Sequence, residues 1–74
     1  MNNQDKIAII RTAITKVTGR DPGEITQDTT IASFDIDSLS EVEIQMEIEE
    51  LVDTSIPDPT EPLVTVRDLM NLIP

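Results

Sequence analysis

Every regularly spaced apolar run in this 74-residue chain has the period of a helix, and none alternates as a strand does. Ile7, Ile10, Ile14 and Val17 recur at i, i+3, i+7 and i+10, which places them on one helical face. Asn2 or Asn3 can cap the start, Asp5 suits the first turn and Arg20 the last. Gly19, ahead of Asp21-Pro22-Gly23, marks the stop, so a helix is predicted over residues 3–18. Near the other end, Pro57, Pro59 and Pro62 leave room for at most one short turn near 58–63. Val66, Leu69, Met70 and Ile73 then predict a last helix over 66–73, ended by Pro74. Thr65-Val66-Arg67-Asp68 resembles a capping box, with Asp where Glu or Gln is usual. The expected fold is all-α: a small four-helix bundle of three main helices and one short one, in a single domain over 1–74.

Between the first two helices, residues 21–37 show no periodicity. So long a connection in a small domain is either packed down or functional. Ile25, Ile31, Phe34 and Ile36 can supply the packing, and Thr29, Thr30 and Ser33 can supply local hydrogen bonds. Phe34, the one aromatic residue, is expected to plug the core.

Residues 38–52 carry two apolar stripes. Counting from Ser38, Ile44, Ile48, Leu51 and Val52 fall at roughly 220–320° and continue the core. Leu39, Val42 and Met46 fall at roughly 40–100°, flanked by Glu49, Glu50 and Glu43. A helix apolar on two sides either packs on both or keeps one for a partner. The second stripe is therefore either a cover for the long loop or a docking surface edged with carboxylates.

Charge and composition narrow the chemistry. Acids outnumber bases fifteen to five, and from Asp21 to Val66 every charged residue is acidic. That balance disfavours nucleic acid, whose phosphates need Lys and Arg, and disfavours anionic membranes, while suiting a basic protein partner. With no histidine and no cysteine, the usual general base, the thiolate nucleophile and the commonest zinc ligands are all missing. Asp35-Ile36-Asp37 does not open a calcium loop, because Leu39, Ser40 and Met46 stand where a ligand, Gly and Glu would be needed. No apolar run approaches a membrane span, and the N-terminus lacks the pattern of a secretory signal. The expectation is a soluble, monomeric, cytoplasmic protein that is not itself an enzyme.

Ser38 admits two readings. Ser38-x-x-Glu41 is a capping box, Ser40-x-x-Glu43 offers another, and Asp37 can also cap. Capping alone does not explain an apolar strip beginning at the next residue. A hydroxyl at a helix start is also well placed to hold an attached phosphate, since free N–H groups and the helix dipole favour an anion there.

Asp37-Ser38-Leu39, following a long loop and opening an acidic helix, resembles the acyl carrier proteins of fatty-acid and polyketide synthesis. The resemblance continues through Val42-Glu43-Ile44, Met46-Glu47-Ile48-Glu49-Glu50, Ile56-Pro57-Asp58 and Thr65-Val66-Arg67-Asp68, and so spans the chain. It implies that Ser38, flanked by Asp37 and Leu39, receives 4′-phosphopantetheine from coenzyme A through a magnesium-dependent phosphopantetheinyl transferase. The arm's thiol would then carry acyl groups as thioesters. The resemblance also implies a partner surface of Leu39, Val42 and Met46 with Glu41, Glu43, Glu49 and Glu50. That surface would meet basic patches on a ketosynthase, an acyltransferase or related enzymes. Ile44, Ile48 and Ile56 are where a growing chain would enter the core.

One position departs from the family pattern, which usually has Leu-Gly before the x-Asp-Ser-Leu. Here Phe34-Asp35 stands in its place. If that glycine serves a positive-φ turn, Asp is among the better substitutes. Asp37 favours an acyl over a peptidyl or aminoacyl carrier, and Ser40 with the short Glu49-Glu50 run suggests a discrete, polyketide-like carrier. The reading from a different class is an unmodified acidic helical adaptor that binds a basic partner.

Overall fold

Asn2 stands extended and its side chain accepts the Asp5 N–H at 2.8 Å, which starts the first helix. In the computed structural model, which describes residues 2–57 and 62–74, this helix, α1, runs Asn3–Thr18. It ends at Gly19, whose φ of 74° is the left-handed turn that glycine enters without steric cost. Lys16 is the base in its last turn, and Arg20 lies beyond the cap. The second helix, α2, spans Ser38–Val52, and the third, α3, spans Val66–Met70. No strand occurs among the described residues; Thr30 and Thr65 form one isolated antiparallel bridge. No helix described is long and apolar enough to cross a membrane.

α1 packs against both α2 and α3. Ile10, Ala13 and Ile14 from α1, Ile44 and Ile48 from α2, and Val66, Leu69 and Met70 from α3 form one buried cluster with Ile25, Ile31, Ile56 and Ile73. The spacing that places these residues on one face of each helix is what makes that cluster possible. Phe34 flanks the core rather than plugging it, since it is only partly buried. Leu51, expected in the core stripe of α2, is exposed at the helix end, while Val52 is half-buried.

The long connection is packed down by more than its apolar side chains. Ile31–Phe34 forms a single 3-10 turn that no periodicity announced. The loop is then tied to the start of α3: the Val66 N–H donates to the Thr29 carbonyl at 2.9 Å, and the Arg67 N–H to Gln27 at 3.0 Å. Ile31 N–H donates to the Val64 carbonyl at 2.8 Å in return. These bonds use N–H groups that the first turn of a helix cannot satisfy internally. Arg67 adds side-chain contacts to Gln27 and Asp28.

α3 is shorter than the expected 66–73. Beyond Met70 the chain tightens, with Leu72 N–H bonding to the Leu69 carbonyl and Ile73 N–H to Met70, both about 3.1 Å. Ile73 is still buried, so its spacing reported burial correctly while the backbone closed by shorter i to i+3 turns. Asp68 Oδ2 accepts the Thr65 N–H, as the capping reading anticipated, and also the Val64 N–H, which that reading did not include. The fourth, short element expected near 58–63 lies largely outside the described residues, and Pro62 and Leu63 are not helical.

Candidate functional site

Ser38 is the first residue of α2 and does not cap it. Asp37, extended at φ −93° and ψ 178°, is the cap: its Oδ1 accepts the Ser40 N–H at 2.8 Å. Its carbonyl accepts the Glu41 N–H at 3.0 Å, the first bond of the helical ladder. Both serine-based capping boxes are therefore displaced: the Glu41 N–H that a Ser38 cap would need goes to the Asp37 carbonyl, and Ser40 already lies inside the first turn. The backbone N–H of Ser40 holds the Asp37 carboxyl below the usual aspartate value, with the Ser40 hydroxyl adding to it. Asp37 is thus ionised at neutral pH, and Ser38 is exposed with its hydroxyl free of any duty in starting the helix.

The approach to Ser38 depends on Asp35. Its φ of 56° and ψ of 50° are left-handed, and its N–H closes the 3-10 turn on the Ala32 carbonyl at 3.2 Å. This is the position where the sequence resemblance expects glycine. Aspartate is one of the few side chains that enter this region readily, so the turn is kept without a glycine.

Leu39, Val42 and Met46 are 67%, 52% and 61% exposed, so the second stripe of α2 does not cover the loop. Glu43 and Glu50 are exposed beside it. Glu49 is half-buried, and its Oε2 accepts the Ile56 N–H at 3.3 Å, so part of this carboxylate serves the fold. Glu41 is also half-buried and projects at roughly 300° from Ser38, away from the strip. Ile44, Ile48 and Ile56 meet in the packed core.

One pairing has no signal in the sequence. Lys16 Nζ of α1 stands 3.8 Å from Glu47 Oε2 of α2, and that oxygen is buried without a hydrogen-bond partner. The two residues are far apart in the chain, so no i, i+4 rule could have joined them.

At the head of α2 the structure thus offers a free, exposed hydroxyl on a helix whose first N–H groups and dipole favour an anion. Such a hydroxyl can form an ester with an attached group. A family profile described as a phosphopantetheine attachment site matches residues 8–73. No curated protein and no solved structure matches the chain. The chain belongs to the phosphopantetheine attachment-site family, whose members carry covalently bound 4′-phosphopantetheine.

Proposed function

We propose that this member of the phosphopantetheine attachment-site family is an acyl carrier, one domain over 1–74, whose arm is attached at Ser38. The observation that carries the reading is the division of labour at the start of α2: Asp37 caps the helix and Ser38 stays exposed and uncommitted. In the attachment step the Ser38 Oγ would form a phosphodiester with the pantetheine phosphate of coenzyme A. The adenosine bisphosphate portion leaves, and a separate magnesium-dependent transferase supplies the catalysis. Once bound, the arm supplies a thiol on which acyl groups ride as thioesters. The chain's own residues do the rest: the N-terminal N–H groups of α2 favour the phosphate, while Asp37 and Leu39 present the serine to the transferase.

The exposed strip of Leu39, Val42 and Met46, with Glu43 and Glu50 beside it, suits docking to enzymes with basic patches around an apolar contact, such as a ketosynthase or an acyltransferase. Glu41 and Glu49 are proposed at its margin, being half-buried. Since Ile44, Ile48 and Ile56 are packed together, an acyl chain entering there would have to part them. Asp37 favours acyl over peptidyl cargo, and we assign the chain to a polyketide-type or fatty-acid-type pathway.

The test is intact mass after incubation with coenzyme A, magnesium and a broad-specificity phosphopantetheinyl transferase. The expected result is one added phosphopantetheinyl group on the wild type and none on Ser38→Ala. An unchanged mass for the folded wild type would instead favour an unmodified acidic adaptor.

A further inference from the structure

On the α1 side of the exposed strip lies a shallow groove of about 310 Å³, lined by Lys16, Val17, Glu43, Met46, Glu47 and Glu50. Its charges are not uniform. Glu47 Oε2 is buried and faces Lys16, so that oxygen is turned inward and Glu47 is less open to a partner than Glu43 or Glu50. Lys16 keeps an exposed ammonium, and 3.8 Å is too long for a hydrogen bond to Glu47. The ammonium therefore retains donors for another acceptor. What the groove presents outward is a cation from α1, the exposed carboxylates of Glu43 and Glu50, and the apolar face of Met46 between the two helices.

We propose that Lys16 is a specificity-determining residue that makes this edge of the docking face a mixed-charge site. This rests on the carrier reading, in which α2 receives the partner enzymes. The occupant that fits is a protein segment with a carboxylate opposite Lys16, basic side chains opposite Glu43 and Glu50, and an apolar side chain over Met46. A partner that is basic throughout meets repulsion at Lys16 and leaves its ammonium without an acceptor, so the groove discriminates among basic partners.

The test is a charge-swap cycle with two synthetic helical peptides. Each carries leucine to cover Met46 and arginines to meet Glu43 and Glu50. They differ at one position, placed to face Lys16, which is Glu in one peptide and Arg in the other. Because the chain's net charge of −10 attracts cations generally, the quantity read is the ratio of the two Kd values, compared between variants. Replacing Lys16 by Glu should shift that ratio about threefold or more toward the all-arginine peptide. Lys16→Met should shift it partway, and Lys16→Arg should keep the wild-type ratio. Arg20→Met, at a cation that lines a separate groove, should also leave it unchanged. Thermal melts of each variant verify folding. An equal ratio in wild type, Lys16→Met and Lys16→Glu would overturn the inference, as would binding of neither peptide. Attachment at Ser38 is read by mass on the wild type, so a flat ratio beside normal attachment refutes this inference alone.

Discussion

Asp37 Oδ1 receives the backbone N–H of Ser40 at 2.8 Å, directly across the residue whose hydroxyl remains exposed. Helix initiation thereby falls to Asp37, and the attachment proposed for Ser38 does not compete with it for one side chain. Asp37→Ala should lower the melting temperature by removing the cap, and Asp37→Asn, which can still accept, should lower it less. Ser38→Ala should change unfolding stability by no more than about 0.5 kcal/mol. Urea titrations of the three variants check this. A Ser38→Ala loss as large as that of Asp37→Ala would mean that the serine has a structural role after all.

The caps also predict a response to acid. The backbone N–H groups of Thr65 and then Val64 hold the Asp68 carboxyl below its ordinary range, as Ser40 does for Asp37. A group with a depressed folded pKa stabilises fully above its unfolded value and loses that contribution as pH falls through the folded one. The stability gap between wild type and Asp68→Ala should therefore be constant near neutrality. It should close only as pH drops below the ordinary aspartate range, in melts recorded across a pH series.

At Asp35 the left-handed backbone sets the expectation. Asp35→Val should destabilise by about 1–2 kcal/mol, because a β-branched side chain is poorly tolerated at positive φ. Asp35→Gly should be neutral or slightly stabilising, and its attachment rate at Ser38 should be no lower than wild type, as one carboxylate beside the site is removed. Chemical unfolding and timed mass measurements read the two effects.

Core and strip should separate cleanly. Ile48, fully buried, should cost about 2–5 kcal/mol on truncation to Ala, a large share of what a domain of this size has. Leu39→Ala and Val42→Ala, at exposed positions, should cost no more than about 0.5 kcal/mol. Their effect should appear in partner binding, measured as Kd for a basic partner enzyme or peptide.

The excess of ten negative charges predicts a salt response. Raising ionic strength should raise the melting temperature by screening self-repulsion, most steeply below physiological salt, where the Debye length is longest. A melting temperature independent of salt would count against a net repulsive surface.

The sequence by itself determined where α1 and α2 begin and end, over 3–18 and 38–52, because spacing, caps and stops involve residues within a turn or two of each other. It also placed the two stripes of α2, Leu51 excepted, and the Asp68 half of the α3 cap, for the same reason. Only the tertiary structure decided the matters that depend on residues distant in the chain. Which of three candidate caps holds α2 was a nearer matter, settled by backbone conformation that residue type does not announce, with Asp37 extended after a left-handed Asp35. The loop's hydrogen bonds to α3, the exposure of the second stripe and the withdrawal of Glu49 into contact with Ile56 required the packed arrangement. The meeting of Lys16 with Glu47 across two helices likewise left no local trace, since burial and ion pairing between separate elements arise only when their faces come together.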